Sequence, residues 1–330
     1  MSTSIRELRL ALHQALERRQ PLIESGQTEA YCMMTPRDGT PGLQLDRYGP
    51  GAVLISLGDG DAPAASDAAA MLLDELAPLG ITSIYFKPFA RDRSGMGGVH
   101  PDIASDPTPL AGEALPVSFP IREHGWQMEV RLYDGLSTGL FFDHRDDRRH
   151  LASRASGKRV LNTFAYTCGF SVAATLHGAV STTSVDVSGR YLDWGKRNFA
   201  LNDIDVQNTH HFPRQDVFNF LEFAHKRGFR FDMIILAPPT FAAGSKRKGI
   251  RTWSAARDYP RLVAGAAALL EPGGEIFAAS CARELSKSGA LPEKIIEGLG
   301  REPAWHDLPP QPIDLVGAQA QPVRHLFTPR

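Results

Sequence analysis

Hydrophobic and polar positions along this chain follow two periods, and the change from one to the other marks out the elements. Ser4-Ile-Arg-Glu7 forms a capping box, and Ile5, Leu8, Leu12 and Leu16 then recur at helical spacing. The pattern predicts an N-terminal helix that ends before Pro21. Short β-branched and aromatic runs follow: Tyr31 to Thr35, Leu43 to Tyr48 and Ala52 to Leu57, separated by Asp38-Gly-Thr-Pro-Gly42 and Gly49-Pro-Gly51. An alanine-rich helix, Ala64 to Leu79, leads to a strand from Ser83 to Phe86. Strand, strand, strand, helix, strand describes a small α+β module. The Gly/Pro-rich stretch Arg91 to Pro116 is the expected boundary, giving domains at 1–116 and 117–330.

Past that boundary, Val117 to Arg131 alternates in two runs around His124-Gly125 and reads as a hairpin. The remainder alternates between periods of about two and about 3.6. Strands are expected at Arg159 to Leu161, Val180 to Val185, Thr209 to Phe212, Phe231 to Leu236, Glu275 to Ala279 and Val323 to Phe327. Helices fall between them: Ser171 to His177 closed by Gly178, Tyr191 to Leu201 capped by Ser188, Val217 to Arg227 closed by Gly228, and Tyr259 to Leu270. This is an α/β arrangement of about seven strands, a Rossmann-like doubly wound sheet preceded by the small α+β domain.

The stretch from Val160 to Asp186 organises the second domain. An apolar strand runs into Asn162-Thr-Phe-Ala-Tyr-Thr-Cys-Gly-Phe170, then a short helix, then a β-branched strand ending in Asp186. A carboxylate at that strand tip can accept hydrogen bonds from both hydroxyls of a ribose. The loop lacks G-x-G-x-x-G and keeps only Gly169, so it offers no bare backbone cradle for a pyrophosphate. Tyr166 and Phe170 give it an apolar wall, which suits a nucleoside without phosphates, such as S-adenosylmethionine.

Composition narrows the rest. The 36 basic and 37 acidic residues leave no globally basic face, so contact with nucleic acid must come from a local cluster. No run of about eighteen apolar residues and no signal-like N-terminus is present, and Cys32, Cys168 and Cys281 lack disulfide or zinc spacing. A cytoplasmic protein, without membrane contact or metal, is expected. Asp143, Asp146, Asp147, His144 and His150 interleave with Arg145, Arg148 and Arg149, which opposes a cation and predicts a salt-bridged helix face instead. His210-His211 lies in a strand and reads as structural.

Ligands of open α/β sheets bind beyond the carboxyl ends of the strands. Asp216, just before a helix, can accept from an adenine amino group while the Val217 amide donates to the ring; an ordinary helix cap is the equal alternative. Ala237-Pro-Pro-Thr-Phe241 follows an apolar strand. Its two prolines stiffen the turn and leave the Pro238 carbonyl without a local donor, and Phe241 can stack on a planar base or pack in the core. Gly244-Ser-Lys-Arg-Lys-Gly-Ile-Arg251 then puts Lys246, Arg247 and Lys248 at the same edge, a cluster suited to phosphodiesters.

Taken together, these motifs resemble one family. Thr138-Gly-Leu-Phe-Phe-Asp-His-Arg145, Phe164-x-Tyr-Thr-x-Gly169, Ser181-Thr-Thr-Ser-Val-Asp186, Asn198-x-x-x-Asn202 and Pro238-Pro-Thr-Phe241 look like the S-adenosylmethionine-dependent methyltransferases of bacterial 23S ribosomal RNA. Members carry the class I methyltransferase fold and modify cytosine C5 or guanine N7. The resemblance implies Phe142, Asp143 and Arg145 at the methionine side of the cofactor, and Asn162, Phe164, Tyr166, Thr167, Gly169 and Ala237 along its cleft. It further implies Asp186 on the ribose, and Asp216 and Val217 on the adenine. Residues 30–116 are similar to the family's substrate-recognition domain, and the partner implied is 23S rRNA, bound by a monomer or homodimer.

Three departures accompany the likeness. Cys168 stands where the family has glycine, so a Cβ is expected to narrow the approach to the methionine moiety. Ala237 replaces Asp or Asn, which disfavours methylation of an exocyclic amine. No counterpart of the N-terminal RNA-binding accessory domain of some members is expected. Cys281, at the end of the fifth strand, matches a position where the cytosine-C5 members carry Cys, so the resemblance puts it with Pro238 and Pro239 in the catalytic set, Arg283 or Lys246 lowering its pKa; a small buried residue is the equal alternative. Thr240-Phe241 and Ser245-Lys-Arg247 look instead like the guanine-N7 branch. A methyltransferase of small metabolites on the same fold, and an RNA-binding relative without activity, are the alternatives.

Overall fold

The computed structural model of the chain describes residues 4–40, 42–57, 62–88, 106–135, 137–245, 249–287, 289–316 and 322–330. It divides into two compact units, one comprising 1–145 with 311–319 and the other 146–310 with 320–330. Each takes its shape from the periodicities above.

The smaller unit opens with α1 (Ile5–Ser25), whose N-terminus is closed by reciprocal Ser4 and Glu7 hydrogen bonds. The helix does not stop at Pro21. It continues to Gly26, which ends it in the left-handed conformation at φ +59°. Proline removes one backbone donor, but Leu22 and Ile23 beyond it pack on the same core as Leu8 and Leu12, and that burial carries the helix through. Strands β1 (Ala30–Met34), β2 (Leu43–Tyr48), β3 (Gly51–Ser56), β4 (Ser83–Pro88) and β5 (Ala111–Gly112) form a sheet in that order, with α2 (Ala62–Leu76) crossing between the parallel strands β3 and β4. Leu45, Leu54 and Ile84 face α1 and α2.

The hairpin β6 (Phe119–Glu123) and β7 (Trp126–Val130) turns through His124 and Gly125, both at positive φ. It groups with the smaller unit and not with residues 117–330, because its outer strand runs beside residues 27–29. The amide of Glu29 donates to the Arg122 carbonyl, Arg122 pairs with Glu29, and the His124 amide donates to Gln27. The boundary suggested by the Gly/Pro-rich stretch thus precedes the actual division; residues 91–105 of that stretch lie outside the described residues.

The sheet face away from α1 and α2 is polar although buried. Cys32 and Asp46 are cross-strand partners, and Asp46 accepts from Gln44 at 2.9 Å. Lys87, 2% exposed, donates to the Gly135 carbonyl. Burial pushes the Asp46 carboxyl up to about 7, opposed by hydrogen bonds from Gln44 and Cys32 and by the Lys87 charge, with Asp314 adding to the rise. Burial likewise draws Lys87 down to about 8, against the pull of Asp46 and Asp134. An acid whose folded pKa is raised contributes stability that is complete below its unfolded value of 3.8 and is lost as pH rises through about 7. Asp46→Asn is therefore expected to gain in Tm over the wild type steadily between pH 4 and pH 7, and to hold that gain above; thermal unfolding across that range measures it.

In the larger unit, α3 (Arg145–Ser153) starts at the division. β8 (Arg159–Thr163), α4 (Gly169–Leu176), β9 (Ser181–Val185), α5 (Gly189–Leu201), β10 (His210–His211), α6 (Val217–Lys226) and β11 (Phe231–Leu236) follow. A small hairpin, β12 (Phe241–Ala242) and β13 (Trp253–Ser254), precedes α7 (Ala255–Ala267), β14 (Leu270–Ser280), α8 (Ala290–Leu299), β15 (Ala304–His306) and β16 (Val323–Thr328). The seven-stranded sheet runs β10-β9-β8-β11-β14-β16-β15. The first five strands are parallel, and β16 is antiparallel to both its neighbours. Pro272-Gly-Gly274, a turn-forming sequence, is part of β14, which pairs at Leu270 and again from Glu275 with an irregularity between.

Residues of α6, α7 and α8, with Phe218, Tyr259 and Leu291 among them, cover one face of this sheet, and Leu151, Ala174 and Phe277 fill the other. The strand order reverses between β8 and β11, the position at which open α/β sheets bind their ligands in a crevice beyond the carboxyl ends.

Candidate active site

At the carboxyl end of β8 the chain makes a loop with unusual backbone. Phe164, Tyr166 and Cys168 all take positive φ, at +52°, +49° and +63°. Each such residue costs about 1–2 kcal/mol for an L side chain, so the loop is held by its surroundings and not by local preference. Those surroundings are specific. The Asn198 side-chain amide, fully buried in α5, donates to the Thr167 carbonyl at 2.9 Å. Tyr166 packs edge-on against Tyr191 at 4.6 Å and near Trp194 at 6.3 Å, both on α5. The Tyr166 amide donates to Asp186 Oδ2 at 3.0 Å, and Phe164 lies 5.4 Å from Trp253. Asn162 does not point into open space: its amide donates to Ser171 Oγ, which in turn bonds Ser184, a buried chain that locks β8 to α4 and β9.

Cys168 is where the structure corrects the sequence reading most clearly. Its positive φ is as expected for a position that favours glycine, but the thiol does not narrow the crevice. The side chain is 0% exposed and turns toward α5, where a Cβ on Gly195 would meet its sulfur at 2.4 Å. The missing side chain of Gly195 is the room that Cys168 occupies.

Asp186 ends β9 with each carboxylate oxygen already holding one backbone amide, Tyr166 at Oδ2 and Ser188 at Oδ1. Of about four lone-pair positions on the carboxylate, one or two remain for other donors. Burial raises its pKa, while the amides of Ser188, Tyr166 and Val187 lower it. Asp216 is close along the same edge, since Asp186 bridges to Arg214 and its carbonyl accepts from Gln215. Asp216 Oδ1 caps α6 through the amides of Phe218 and Asn219, and Oδ2 accepts from the Arg251 amide at 3.1 Å. The helix-cap alternative is thus realised, and one carboxylate also anchors the loop after residue 248. Val217 is buried behind it, and Ala237 is half-buried at the end of β11.

Pro238 is buried and Pro239 exposed. Among the described residues no donor reaches the Pro238 carbonyl, whereas the next carbonyl, of Pro239, accepts from the indole of Trp253 at 2.6 Å. Tyr259 spans the ends of β11 and β14, donating to the Ala279 carbonyl at 2.9 Å with Leu236 at 3.4 Å. Trp253, Tyr259 and Gly195 position the turn and the loop, yet carried no sequence signal beyond their residue type. Asn198 was marked only by its spacing from Asn202. Phe241 is 61% exposed, so the core alternative for it does not hold. Cys281 is half-buried just past β14, beside Arg283. Lys246, Arg247 and Lys248 lie outside the described residues.

Phe142, Asp143 and Arg145 fall in the smaller unit. Phe142 contacts Tyr48 with ring centroids 5.0 Å apart, and the Arg145 guanidinium, 1% exposed, grips Asp314 through both terminal nitrogens at 2.6 and 3.2 Å. The acidic and basic run 143–150 carries salt bridges as expected, but its Arg145, Asp147 and Arg148 are buried: Asp147 is held by Arg324 and Arg148 lies over Phe170. His210 bonds Thr182 and is structural.

A family model described as S-adenosylmethionine-dependent methyltransferase matches residues 94–306. The chain is 44% identical over 159 residues to ribosomal RNA large subunit methyltransferase K of Neisseria meningitidis, covering 48% of this chain and 44% of that one. It is 33% identical over 271 residues to ribosomal RNA large subunit methyltransferase I of Citrobacter koseri, covering 82% and 65%. The chain therefore spans less than two thirds of the length of these relatives. Among solved structures, SMU.776, described as a candidate methyltransferase complexed with SAH, superposes with a TM-score of 0.84 at 27% identity, over 99% of this chain and 82% of that one. With the strand order, the acid at the tip of β9 and a match across most of the length all in agreement, the chain belongs to the S-adenosylmethionine-dependent methyltransferases, and S-adenosylmethionine is its cofactor.

Proposed function

We propose that this protein methylates a base of ribosomal RNA, and that the acceptor atom is cytosine C5. The observation that carries the reading is the set of groups at the crevice mouth. An acceptor-rich Asp186 and a pre-shaped loop end the strands of the sheet that also carries the diproline turn, and an exposed Phe241 precedes, in sequence, the basic run Lys246-Arg-Lys248. The names of the Neisseria and Citrobacter relatives support the choice of RNA.

The residues at the crevice fit the cofactor. Asp186 retains lone-pair capacity for the ribose hydroxyls, Asp216 has the acceptor character for the adenine amine, and the amide of Val217 has the donor character for the ring. Phe164, Tyr166, Thr167 and Gly169 line the loop. S-adenosylmethionine supplies an electrophilic methyl group. Phe241 offers a face on which an unstacked base can rest, and the buried, rigid Pro238 limits how that base is aimed.

Cytosine C5 is a weak nucleophile and must be activated. The Cys281 thiolate adds at C6, which builds electron density at C5; after C5 takes the methyl group, loss of its proton expels the thiolate and restores the ring. Ala237, with no side-chain acceptor, argues against an exocyclic amine. Phe241 and the Lys-Arg-Lys run favour guanine N7 as the second reading, in which N7 attacks directly and no thiol is needed.

Mass spectrometry of ribosomal RNA nucleosides from cells with and without the gene tests the function. Cys281→Ala is expected to lower methyl transfer by about a thousandfold or more while S-adenosylhomocysteine binding holds, the pattern of a lost step and not of lost binding. Undiminished transfer reassigns the acceptor to guanine N7. If wild-type and gene-deleted cells have identical nucleosides, the ribosomal reading fails.

A further inference from the structure

The described residues on either side of the basic run that follows the diproline turn are held in place. Residues 241–245 and 249–254 are the two arms of a hairpin, paired Phe241 with Ser254, Ala242 with Trp253 and, further out, Ser245 with Ile250 through two backbone hydrogen bonds of 2.8 and 3.0 Å. It adds to neither large sheet, so its direction is set entirely by side contacts. At its base the Ala255 amide donates to Thr240 and the Trp253 indole to Pro239. Along its flank it leans on the first turns of α6, and there the contacts are dense. Asp216 Oδ2 accepts from the Arg251 amide, the Asn219 amide group donates to the Gly249 carbonyl at 3.1 Å, and the Arg251 guanidinium reaches Asn219 Oδ1 at 3.4 Å and Glu222 at 3.3 Å.

Asp216, Asn219 and Glu222 are spaced three apart, so they share one helix face and grip residues 249–251 as a unit. Arg251 and Arg261 both sit over the Phe218 ring, at 5.9 and 4.6 Å, and close the contact from below. The same Asp216 carboxylate whose Oδ1 caps α6 belongs to the edge that also carries Asp186.

We infer that Asn219 is a positioning residue for the RNA-facing hairpin, and that α6, through Asp216, ties the set of that hairpin to cofactor occupancy. This rests on the proposed RNA reading and deepens it. A ligand that engages Asp216 biases the position of residues 249–251, which Asp216 and Asn219 hold together. Cofactor and RNA then raise each other's affinity by one shared factor, since binding linkage is reciprocal. Asn219 touches neither ligand in this account, so its loss leaves the cofactor site intact.

The test uses the full chain with deproteinised 23S rRNA and S-adenosylhomocysteine. In the wild type, S-adenosylhomocysteine is expected to tighten RNA binding by about fivefold or more, the lower end of ordinary coupling. Asn219→Ala, which loses both the donor to Gly249 and the acceptor for Arg251, is expected to raise KM for RNA by about tenfold, with kcat little changed. It should also bring the mutual enhancement close to one, with unchanged S-adenosylhomocysteine affinity in the absence of RNA. Asn219→Asp keeps the acceptor for Arg251, loses the donor to Gly249 and sets a carboxylate oxygen against that carbonyl; it is measured in the same way, with the same expected direction, and decides the matter if the alanine variant does not fold. A wild type that methylates the RNA, with KM and coupling unmoved in these variants, overturns this inference alone. A wild type that methylates no ribosomal RNA overturns it together with the proposed function.

Discussion

Gly195→Ala is expected to cost the enzyme most of its cofactor affinity, although Gly195 lies in the middle of α5 and not in the crevice. An added Cβ would stand 2.4 Å from the Cys168 sulfur, 3.0 Å from its Cβ and 3.5 Å from the Thr167 carbonyl carbon. Alanine favours a helix interior by about 1 kcal/mol over glycine, so the helix itself gains. The clash outweighs this, because Cys168 is wholly buried and overpacking of such a site costs about 1–3 kcal/mol. The strain is relieved by moving the loop, and the loop carries the Tyr166 amide that aligns Asp186 and the Thr167 carbonyl held by Asn198. We expect S-adenosylhomocysteine affinity to fall by about tenfold to a hundredfold, about 1.4 kcal/mol per decade.

The same geometry predicts its own rescue. Cys168→Gly removes the sulfur and places glycine at φ +63°, where it is unstrained. Alone it should be nearly neutral, since the conformational relief of about 1 kcal/mol offsets the loss of a small buried thiol. Combined with Gly195→Ala it should restore binding, with a coupling energy of about 1–3 kcal/mol in the double-mutant cycle. Isothermal titration of the four proteins measures it; additive effects would mean that the two positions do not share one space.

The second large effect is at Asp186. Asp186→Ala removes the acceptor from two backbone amides, of Tyr166 and Ser188, as well as from the ribose. Hydrogen bonds to a charged acceptor are worth about 1.5–3 kcal/mol each, so a loss of about a hundredfold to a thousandfold in S-adenosylhomocysteine affinity is expected. Asp186→Asn keeps one oxygen and turns an amino group toward one of those amides, and its effect should be intermediate. Burial lifts the Asp186 pKa above the usual value of 3.8. Binding to the wild type should accordingly weaken, as pH falls, at a higher pH than an exposed carboxylate would dictate. A titration series from pH 7 to pH 4 reads this directly, and a flat profile would remove Asp186 from the cofactor site.

Much of this was legible in the residues. Alternating apolar periods located the strands and helices of both units, and the acids and prolines that end strands are where chemistry sits in a doubly wound sheet. Where the sequence reading went astray, longer-range packing had overruled a local rule. Pro21 should end a helix, but the core beneath Leu22 and Ile23 holds it together. The hairpin at 119–130 follows a Gly/Pro-rich stretch, but backbone bonds to residues 27–29 assign it to the smaller unit.

By itself the sequence determined what depends on residue type and spacing: the order of strands and helices, the acceptors at the strand tips, and membership in a fold built from them. Only the tertiary structure decided where side chains turn and what holds the backbone in costly conformations. Cys168 looked like an obstruction until Gly195, 27 positions away along the chain, proved to leave room for it on the far side of the loop. The run Gly244 to Arg251 shows in sequence only its charge, whereas the structure has Asp216 and Asn219 gripping residues 249–251. In both cases the deciding interaction joins residues distant in sequence, and such pairs leave no periodic trace because their geometry exists only once the chain has packed.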